Sequence, residues 1–156
     1  MTLQRPSRHE AYDPIKLRLW VRLLRAVRVV EVELRRHLRA EFGETLPRFD
    51  VMAALARKQG GMTMTEVSRL LMVSNGNVTG IVDRLVVEGH VQRGQRNGDR
   101  RTSIVRLTKS GRDLFKIMAA AHERWVDELL GSVTSSDARR LTSTLKAFRS
   151  NWEGRE

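Results

Sequence analysis

Apolar positions between Ile15 and Phe42 recur every three or four residues, and this stretch contains neither glycine nor proline. That spacing predicts one long helix, because residues three and four positions apart share a helix face. Pro14 suits the first turn of this helix, and Gly43 is expected to end it. The apolar residues form two neighbouring stripes, a wider surface than one small domain usually covers. We therefore expect a partner chain to cover part of it.

The middle of the chain predicts three shorter helices, at about 47–59, 63–72 and 74–89. We expect Gly60-Gly61 to stop the first of them and a Thr-x-x-Glu capping box to start the second. Ser74 is the expected N-cap of the third. The third helix has an apolar face at i, i+3, i+4, i+7 spacing, made of Val78, Ile81, Val82 and Leu85. The second and third helices, joined by a short turn, predict a helix-turn-helix.

Two β-prone runs follow, Val91–Gln95 and Ile104–Thr108, and the turn signal Asn97-Gly98 lies between them. This pattern predicts a hairpin. Residues 91–109 carry six Arg or Lys and one Asp, a net charge of +5. A basic hairpin tip of this size suits the minor groove of DNA, where the potential is most negative. A solvated charged turn is the simpler alternative.

Two further helices complete the chain. The first is expected from the cap Thr108 to about Leu130, where Gly131 breaks it, and the second begins within 134–137. The last helix has a 4-3-4 apolar spacing that is typical of a helix–helix seam. The seam residues are Leu141, Leu145, Phe148 and Trp152.

These elements predict a mainly α protein. We expect a winged helix-turn-helix lobe with a two-stranded β-hairpin wing, flanked by N- and C-terminal dimerisation helices. The predicted units are a flexible N-terminal arm (1–13), an N-terminal dimerisation helix (14–44), a DNA-binding lobe (45–108) and C-terminal dimerisation helices (109–156).

The charge of the chain favours a polyanionic partner. Its 156 residues include 29 Lys and Arg against 18 Asp and Glu, which gives a net charge of +11. No uninterrupted apolar run approaches the roughly 20 residues that span a bilayer, and no secretory leader is visible. We therefore expect a cytoplasmic protein without a membrane partner. The chain has no cysteine, no clustered histidines, no activated nucleophile and no Gly-rich phosphate loop. These absences argue against a metal site, a cofactor and an enzyme.

The polar face of the 74–89 helix is the predicted surface for reading DNA. Asn and Thr near a helix N-terminus can bind base edges and thymine methyl groups in the major groove, while hydroxyl and Arg side chains suit phosphates. Gly76 and Gly80 lie one turn apart and remove bulk, which would let the helix backbone approach DNA. A polar loop and cap is the simpler interpretation of residues 74–77. The candidates on this helix are Ser74, Asn75, Asn77, Thr79 and Arg84.

The hairpin supplies the other four candidates. Arg101 is the residue predicted to enter the minor groove. Asp99, two positions away, is suited to hold the Arg101 guanidinium in a fixed orientation. Arg96 and Arg100 are predicted to meet phosphates.

Four segments together resemble the multiple antibiotic resistance regulator (MarR) family: Thr65–Leu71, Val73-Ser74, Val78–Leu85 and Asp99–Thr108. The last contains the family pattern D-x-R followed by a strand ending in Leu-Thr, and it leads into Gly111. The resemblance implies an obligate homodimer that binds double-stranded DNA at a pseudo-palindromic operator, usually as a repressor. It also implies that a small molecule, often an aromatic acid, binds between the dimer helices and the DNA lobe and releases the DNA.

Two features depart from the family pattern. The turn position that is often glycine is Met72, and the absence of cysteine excludes the relatives that sense oxidants through a thiol. The segments Leu19–Leu24 and Leu46–Met52 resemble regulators of aromatic-acid catabolism, including those for hydroxycinnamates. Some of those regulators respond to an acyl-coenzyme A thioester.

An anionic aromatic acid or its coenzyme A thioester is therefore the expected effector. The candidate effector-binding residues are Trp20, Arg22, Phe49 and Met52. Aromatic and Met side chains at such spacing are more often core residues than pocket residues. The basic face that contains Arg18, Arg22 and Arg25 also has a simpler interpretation as a solvated helix face.

The sequence thus predicts a ligand-responsive, sequence-specific transcriptional regulator. The main alternative is an architectural DNA-binding protein without an effector, which the charge of +11 would also allow. Such a protein would bind any sequence and lose affinity steeply with salt. A winged helix used for protein contacts is a further class, against which the Arg-rich wing argues.

Overall fold

The predicted order of elements is confirmed in a computed structural model, which describes residues 13–96 and 99–153, with the side chains of 13–95 and 101–148. The predicted arm and the turn Asn97-Gly98 therefore lie outside the described residues, apart from Asp13. The elements are α1 (Pro14–Phe42), α2 (Leu46–Ala56), α3 (Met64–Leu71), α4 (Asn75–Val87), β1 (Val91–Arg96), β2 (Asp99–Leu107), α5 (Lys109–Leu129) and α6 (Ser135–Glu153).

Local capping chemistry sets most of the helix boundaries. Gly43 ends α1 in the left-handed conformation, at a φ of 66°. Thr63 and Glu66 form the predicted capping box at the start of α3, each side chain accepting a hydrogen bond from the other residue's backbone N–H. Ser74 and Thr108 cap α4 and α5 as expected.

The predicted end of α2 is wrong, because the helix stops at Ala56 and Gly60-Gly61 serves a different purpose. Gly61 has a φ of 86° and turns the chain so that Met62 pairs with Val105 of β2. The backbone hydrogen bonds of this pair are 3.0 and 2.8 Å long. A Cβ atom at Gly61 would lie 3.0 Å from the Val105 carbonyl oxygen, so the close approach also favours glycine.

The core lies between the C-terminal half of α1, helices α2 to α5 and the base of the hairpin. Leu38 of α1, Met52 of α2 and Met118 of α5 are fully buried in it. Phe49 stacks on His122, with ring centroids 4.6 Å apart, and burial lowers the pKa of His122. No helix within the described ranges is both long and apolar enough to cross a membrane.

Two long helices leave apolar surface uncovered in the protomer. The first half of α1 exposes Ile15, Leu17, Leu19 and Trp20. On α6, none of the described side chains is buried, and the seam residues Leu141, Leu145 and Phe148 are all at least half exposed. The side chain of Trp152, the fourth predicted seam residue, lies outside the description. None of the described residues named on these two faces belongs to the buried core of the protomer.

Gly111 at the start of α5 is where we expect a single methyl group to be costly. A Cβ atom there would lie 1.9 Å from the backbone oxygen of His90, which accepts a hydrogen bond from the Thr108 N–H. Because backbone must move to relieve this overlap, Gly111→Ala should lower the free energy of unfolding by about 1–3 kcal/mol. Urea denaturation measures this change in the free energy of unfolding. Gly60→Ala is the control, since nothing lies within 4 Å of a Cβ at Gly60. Equal stability of the two variants would contradict the packing described.

Candidate nucleic-acid interface

The turn between α3 and α4 places Met72 in a backbone conformation that is costly for any residue other than glycine. Met72 has a φ of 55°, in the left-handed region that favours glycine, and its side chain is 87% exposed. A non-glycine residue in this region costs roughly 1–2 kcal/mol. Two backbone hydrogen bonds close the turn, from Met72 N–H to Arg69 O and from Val73 N–H to Ser68 O. The departure from the family pattern therefore leaves the helix-turn-helix intact.

Helix α4 presents all five of its candidate residues to solvent, because its opposite face is buried. Val78, Val82 and Leu85 are fully buried, as predicted. The exposed candidates are Ser74, Asn75, Asn77, Thr79 and Arg84.

The two hydroxyl candidates on α4 also have structural roles. The Ser74 Oγ accepts a hydrogen bond from the Asn77 N–H at 3.4 Å, so Ser74 is a cap as well as a candidate phosphate ligand. The Thr79 hydroxyl donates to the Asn75 carbonyl at 2.8 Å. This bond leaves the Thr79 methyl group as the part of the side chain most suited to contact a base.

The wing is a two-stranded antiparallel hairpin anchored at its base. The register runs from Val91↔Leu107 to Arg96↔Asp99, with an irregularity between Gln95 and Arg96. Val91 and Leu107 are buried, whereas Arg101 is exposed. Pairing continues further than predicted, so Arg101 lies within β2 rather than in the turn.

Three of the four wing candidates have side chains outside the description. They are Arg96, Asp99 and Arg100. The orientation of Arg101 by Asp99 therefore stays a prediction.

An ion pair that the sequence alone does not predict joins the wing to α4. Arg93 of β1 donates to the Asp83 carboxylate at 2.5 Å. The two residues are ten positions apart, and only the packing of β1 beside α4 brings them together. Both side chains are exposed, so the pair contributes at most about 1 kcal/mol to stability. Its geometric effect is to hold the two candidate DNA-reading elements together.

An open cleft of about 840 Å³ lies between α1, α2 and α4. Its volume is within the range of about 300–1,000 Å³ that is usual for small-molecule sites. Asn77 and Arg84 line it, so α4 forms one of its walls. The charged residues that line it are Glu31, Arg35, Arg48, Asp50 and Arg84. Burial raises the pKa of Asp50, an effect that Glu31 reinforces and Arg35 opposes.

The four candidate effector-binding residues are not among those that line this cleft. Phe49 and Met52 are buried in the core, the alternative that the sequence left open. Trp20 is 57% exposed and Arg22 is exposed, both in the first half of α1. Two of these residues therefore belong to the core, and the other two lie on an uncovered face of α1. The α2 and α4 walls of the cleft are formed by other residues.

Comparison with known proteins identifies the family. The MarR family model matches residues 42–102, from the end of α1 to the wing. The transcriptional activatory protein BadR of Rhodopseudomonas palustris is 34% identical over 131 residues, covering 82% of this chain and 73% of BadR. The chain belongs to the MarR family. It is a DNA-binding transcriptional regulator.

Solved MarR-family structures share the fold over most of this chain. A MarR family transcriptional regulator from Silicibacter pomeroyi is 34% identical, with a TM-score of 0.76 over 92% of this chain and 99% of that one. AbsC, a MarR family transcriptional regulator from Streptomyces coelicolor, has a TM-score of 0.80 at 21% identity, covering 96% of this chain and 100% of AbsC. The second likeness supports the fold alone.

Proposed function

We propose that this MarR-family regulator acts as a homodimer that reads a pseudo-palindromic operator through α4 and the wing. The observation that carries the proposal is the Asp83–Arg93 pair, which joins α4 to β1 while their polar and basic residues stay exposed. A helix suited to the major groove and a basic hairpin suited to the minor groove thus form one unit. The uncovered apolar faces of α1 and α6 support the homodimer, since a second copy would bury them.

We further propose that an anionic aromatic acid or its coenzyme A thioester releases the operator by binding in the cleft. The cleft has a suitable volume, and α4 forms part of its wall. A ligand there would touch the DNA-reading helix directly. The sign of regulation proposed from the family resemblance is repression, although the name of the Rhodopseudomonas palustris relative describes activation.

The release experiment uses a labelled DNA fragment from upstream of the protein's own gene at physiological salt. Fluorescence anisotropy follows binding during titration with benzoate, 4-hydroxycinnamate and their coenzyme A thioesters. We expect one of these compounds to release the DNA. Binding that none of them changes would remove the effector proposal and leave the DNA-binding regulator. A promoter–reporter fusion with and without the protein separates repression from activation.

The two glycines of α4 provide a separate test of DNA contact. Neither Gly76 nor Gly80 has any atom within 4 Å of a Cβ position, so the protomer itself does not require glycine there. Gly80→Ala should raise the free energy of unfolding by about 1 kcal/mol, because alanine favours the helix. It should also weaken operator binding about tenfold, if the backbone approaches DNA at this point.

Urea denaturation and anisotropy measure the two effects on the same preparation, with Gly60→Ala as the control for both. A variant that gains stability and keeps its operator affinity would remove Gly80 from the DNA contact. A variant that loses stability would contradict the open space described around Gly80.

A further inference from the structure

Arg48 joins three parts of the fold. It lies near the start of α2, and its guanidinium binds Glu44 in the α1–α2 connection, with Nε–Oε2 and Nη2–Oε1 distances of 2.5 and 3.1 Å. The same guanidinium binds both carboxylate oxygens of Glu88, the C-cap residue of α4, with an Nη1–Oε1 distance of 3.0 Å. All three nitrogens of Arg48 are therefore engaged. The end of the DNA-reading helix is held to the α1–α2 connection by one side chain.

The two carboxylates that bind Arg48 differ in their exposure to solvent. The side chains of Arg48 and Glu44 are only 12% and 13% exposed, whereas that of Glu88 is 44% exposed. A carboxylate that loses its partner is costly when it stays buried and much less costly when water can solvate it. Glu88 is thus the partner that can leave Arg48, and Glu44 is the partner that stays.

Arg48 also lines the cleft between α1, α2 and α4. Arg84, one turn before Glu88 on α4, lines the cleft as well. The third arginine of the cleft, Arg35, is paired with Glu31 at 3.1 Å. The cleft is therefore lined by a guanidinium whose more exposed partner, Glu88, is replaceable by an entering anion. A planar carboxylate matches the two-pronged geometry of Arg as well as Glu88 does.

We propose that Arg48 is the anion-binding residue of the cleft, and that an aromatic carboxylate bound there displaces Glu88 and frees the end of α4 from the α1–α2 connection. The inference rests on the proposed effector response and assigns a residue to it. By linkage, the operator favours the state in which Arg48 holds Glu88, and the ligand favours the state in which it does not. Removing Glu88 should therefore change the two affinities in opposite directions.

The test compares Glu88→Gln, Arg48→Gln and wild type, with Asp113→Asn as a control for losing one carboxylate. Asp113 forms an exposed pair with Lys109 on α5 and does not line the cleft. Isothermal titration of the DNA-free protein measures the affinity for 4-hydroxycinnamate, with its neutral amide as the uncharged comparison. Anisotropy measures the affinity for the operator fragment.

We expect Glu88→Gln to bind 4-hydroxycinnamate about tenfold more tightly and the operator about tenfold more weakly than wild type, because an uncharged amide holds Arg48 less strongly than a carboxylate does. Arg48→Gln should bind the acid at least about tenfold more weakly. Asp113→Asn should match wild type in both titrations, and the amide should bind all proteins weakly. If Arg48 had only a structural role, replacing its partner Glu88 would not make the protein bind the acid more tightly.

Unchanged or weaker affinity of Glu88→Gln for the acid would overturn the inference, and so would the absence of binding to both wild type and Glu88→Gln. If Arg48→Gln fails to fold, Glu88→Gln alone decides the question. Failure of the proposed function has a different signature, because wild type would then bind the operator fragment no better than a scrambled one. That comparison does not depend on the acid.

Discussion

Arg101→Ala is expected to weaken operator binding by about 10- to 100-fold while leaving the fold and the oligomeric state unchanged. Arg101 is exposed on β2, at the end of the hairpin away from the buried base formed by Val91 and Leu107. Removing its side chain should therefore cost little stability. We expect the loss of affinity because a guanidinium placed in the minor groove would meet the most negative potential of the duplex.

Arg106→Ala is the matched control for this prediction. Arg106 is an exposed arginine of the same strand, and it lies at the base of the hairpin opposite Gln92. Both variants lose one positive charge, so a general effect of net charge would weaken binding equally in both. We expect Arg106→Ala to lose no more than about threefold, since one phosphate contact at most is involved. Equal losses in the two variants would remove Arg101 from the minor groove.

Leu145→Asp is expected to convert the proposed homodimer to monomers and to abolish operator binding at concentrations where wild type saturates. Leu145 is half exposed in the protomer, in the middle of the α6 seam. Burying one leucine is worth roughly 1.5–3 kcal/mol, and a symmetric interface contains the residue twice. The dimer should therefore weaken by at least about 100-fold, and the buried charge adds to this loss.

Sedimentation velocity measures this change, and Ser143→Asp serves as the control. Ser143 lies on the opposite side of α6 from Leu145, so the same charge is added to the same helix outside the seam. The control should sediment as a dimer. A Leu145→Asp protein that stays dimeric and binds the operator would show that α6 is not at the interface.

Most of the fold could be predicted from the sequence because its boundaries depend on local chemistry. The capping box at Thr63, the cap at Ser74 and the left-handed Gly43 each act within a few residues of their own position. Gly60-Gly61 shows the limit of this reasoning. The pair is a strong stop signal, but the helix had already ended at Ala56, and the turn is needed to place Met62 beside β2.

The sequence could predict only those candidate site residues that lie on the exposed face of α4. The buried residues of α4 fix its exposed side, so the candidates from Ser74 to Arg84 could be chosen without coordinates. The contacts that connect α4 to the rest of the fold could not. Arg48 and Glu88 are forty positions apart, and no periodicity or motif relates them.

The residues that line the cleft could not be predicted from the sequence either. The aromatic ring of Phe49 and the thioether of Met52 suggested a pocket for an aromatic ligand, but these side chains fill the core. The charged neighbours Arg48 and Asp50 line the cleft instead. Which side of α2 meets the core and which meets the cleft depends on how α1 and α4 pack against it.

The central claim, that α4 and the wing read a specific DNA sequence, is tested most directly by a competition experiment with the wild-type protein. Anisotropy at physiological salt compares DNA from upstream of its own gene with a scrambled fragment of the same composition. The account predicts a preference of at least about 1,000-fold for the upstream fragment, with one dimer bound at a pseudo-palindromic site. Equal affinity for both fragments, lost steeply as salt rises, would contradict it and favour an architectural DNA-binding protein.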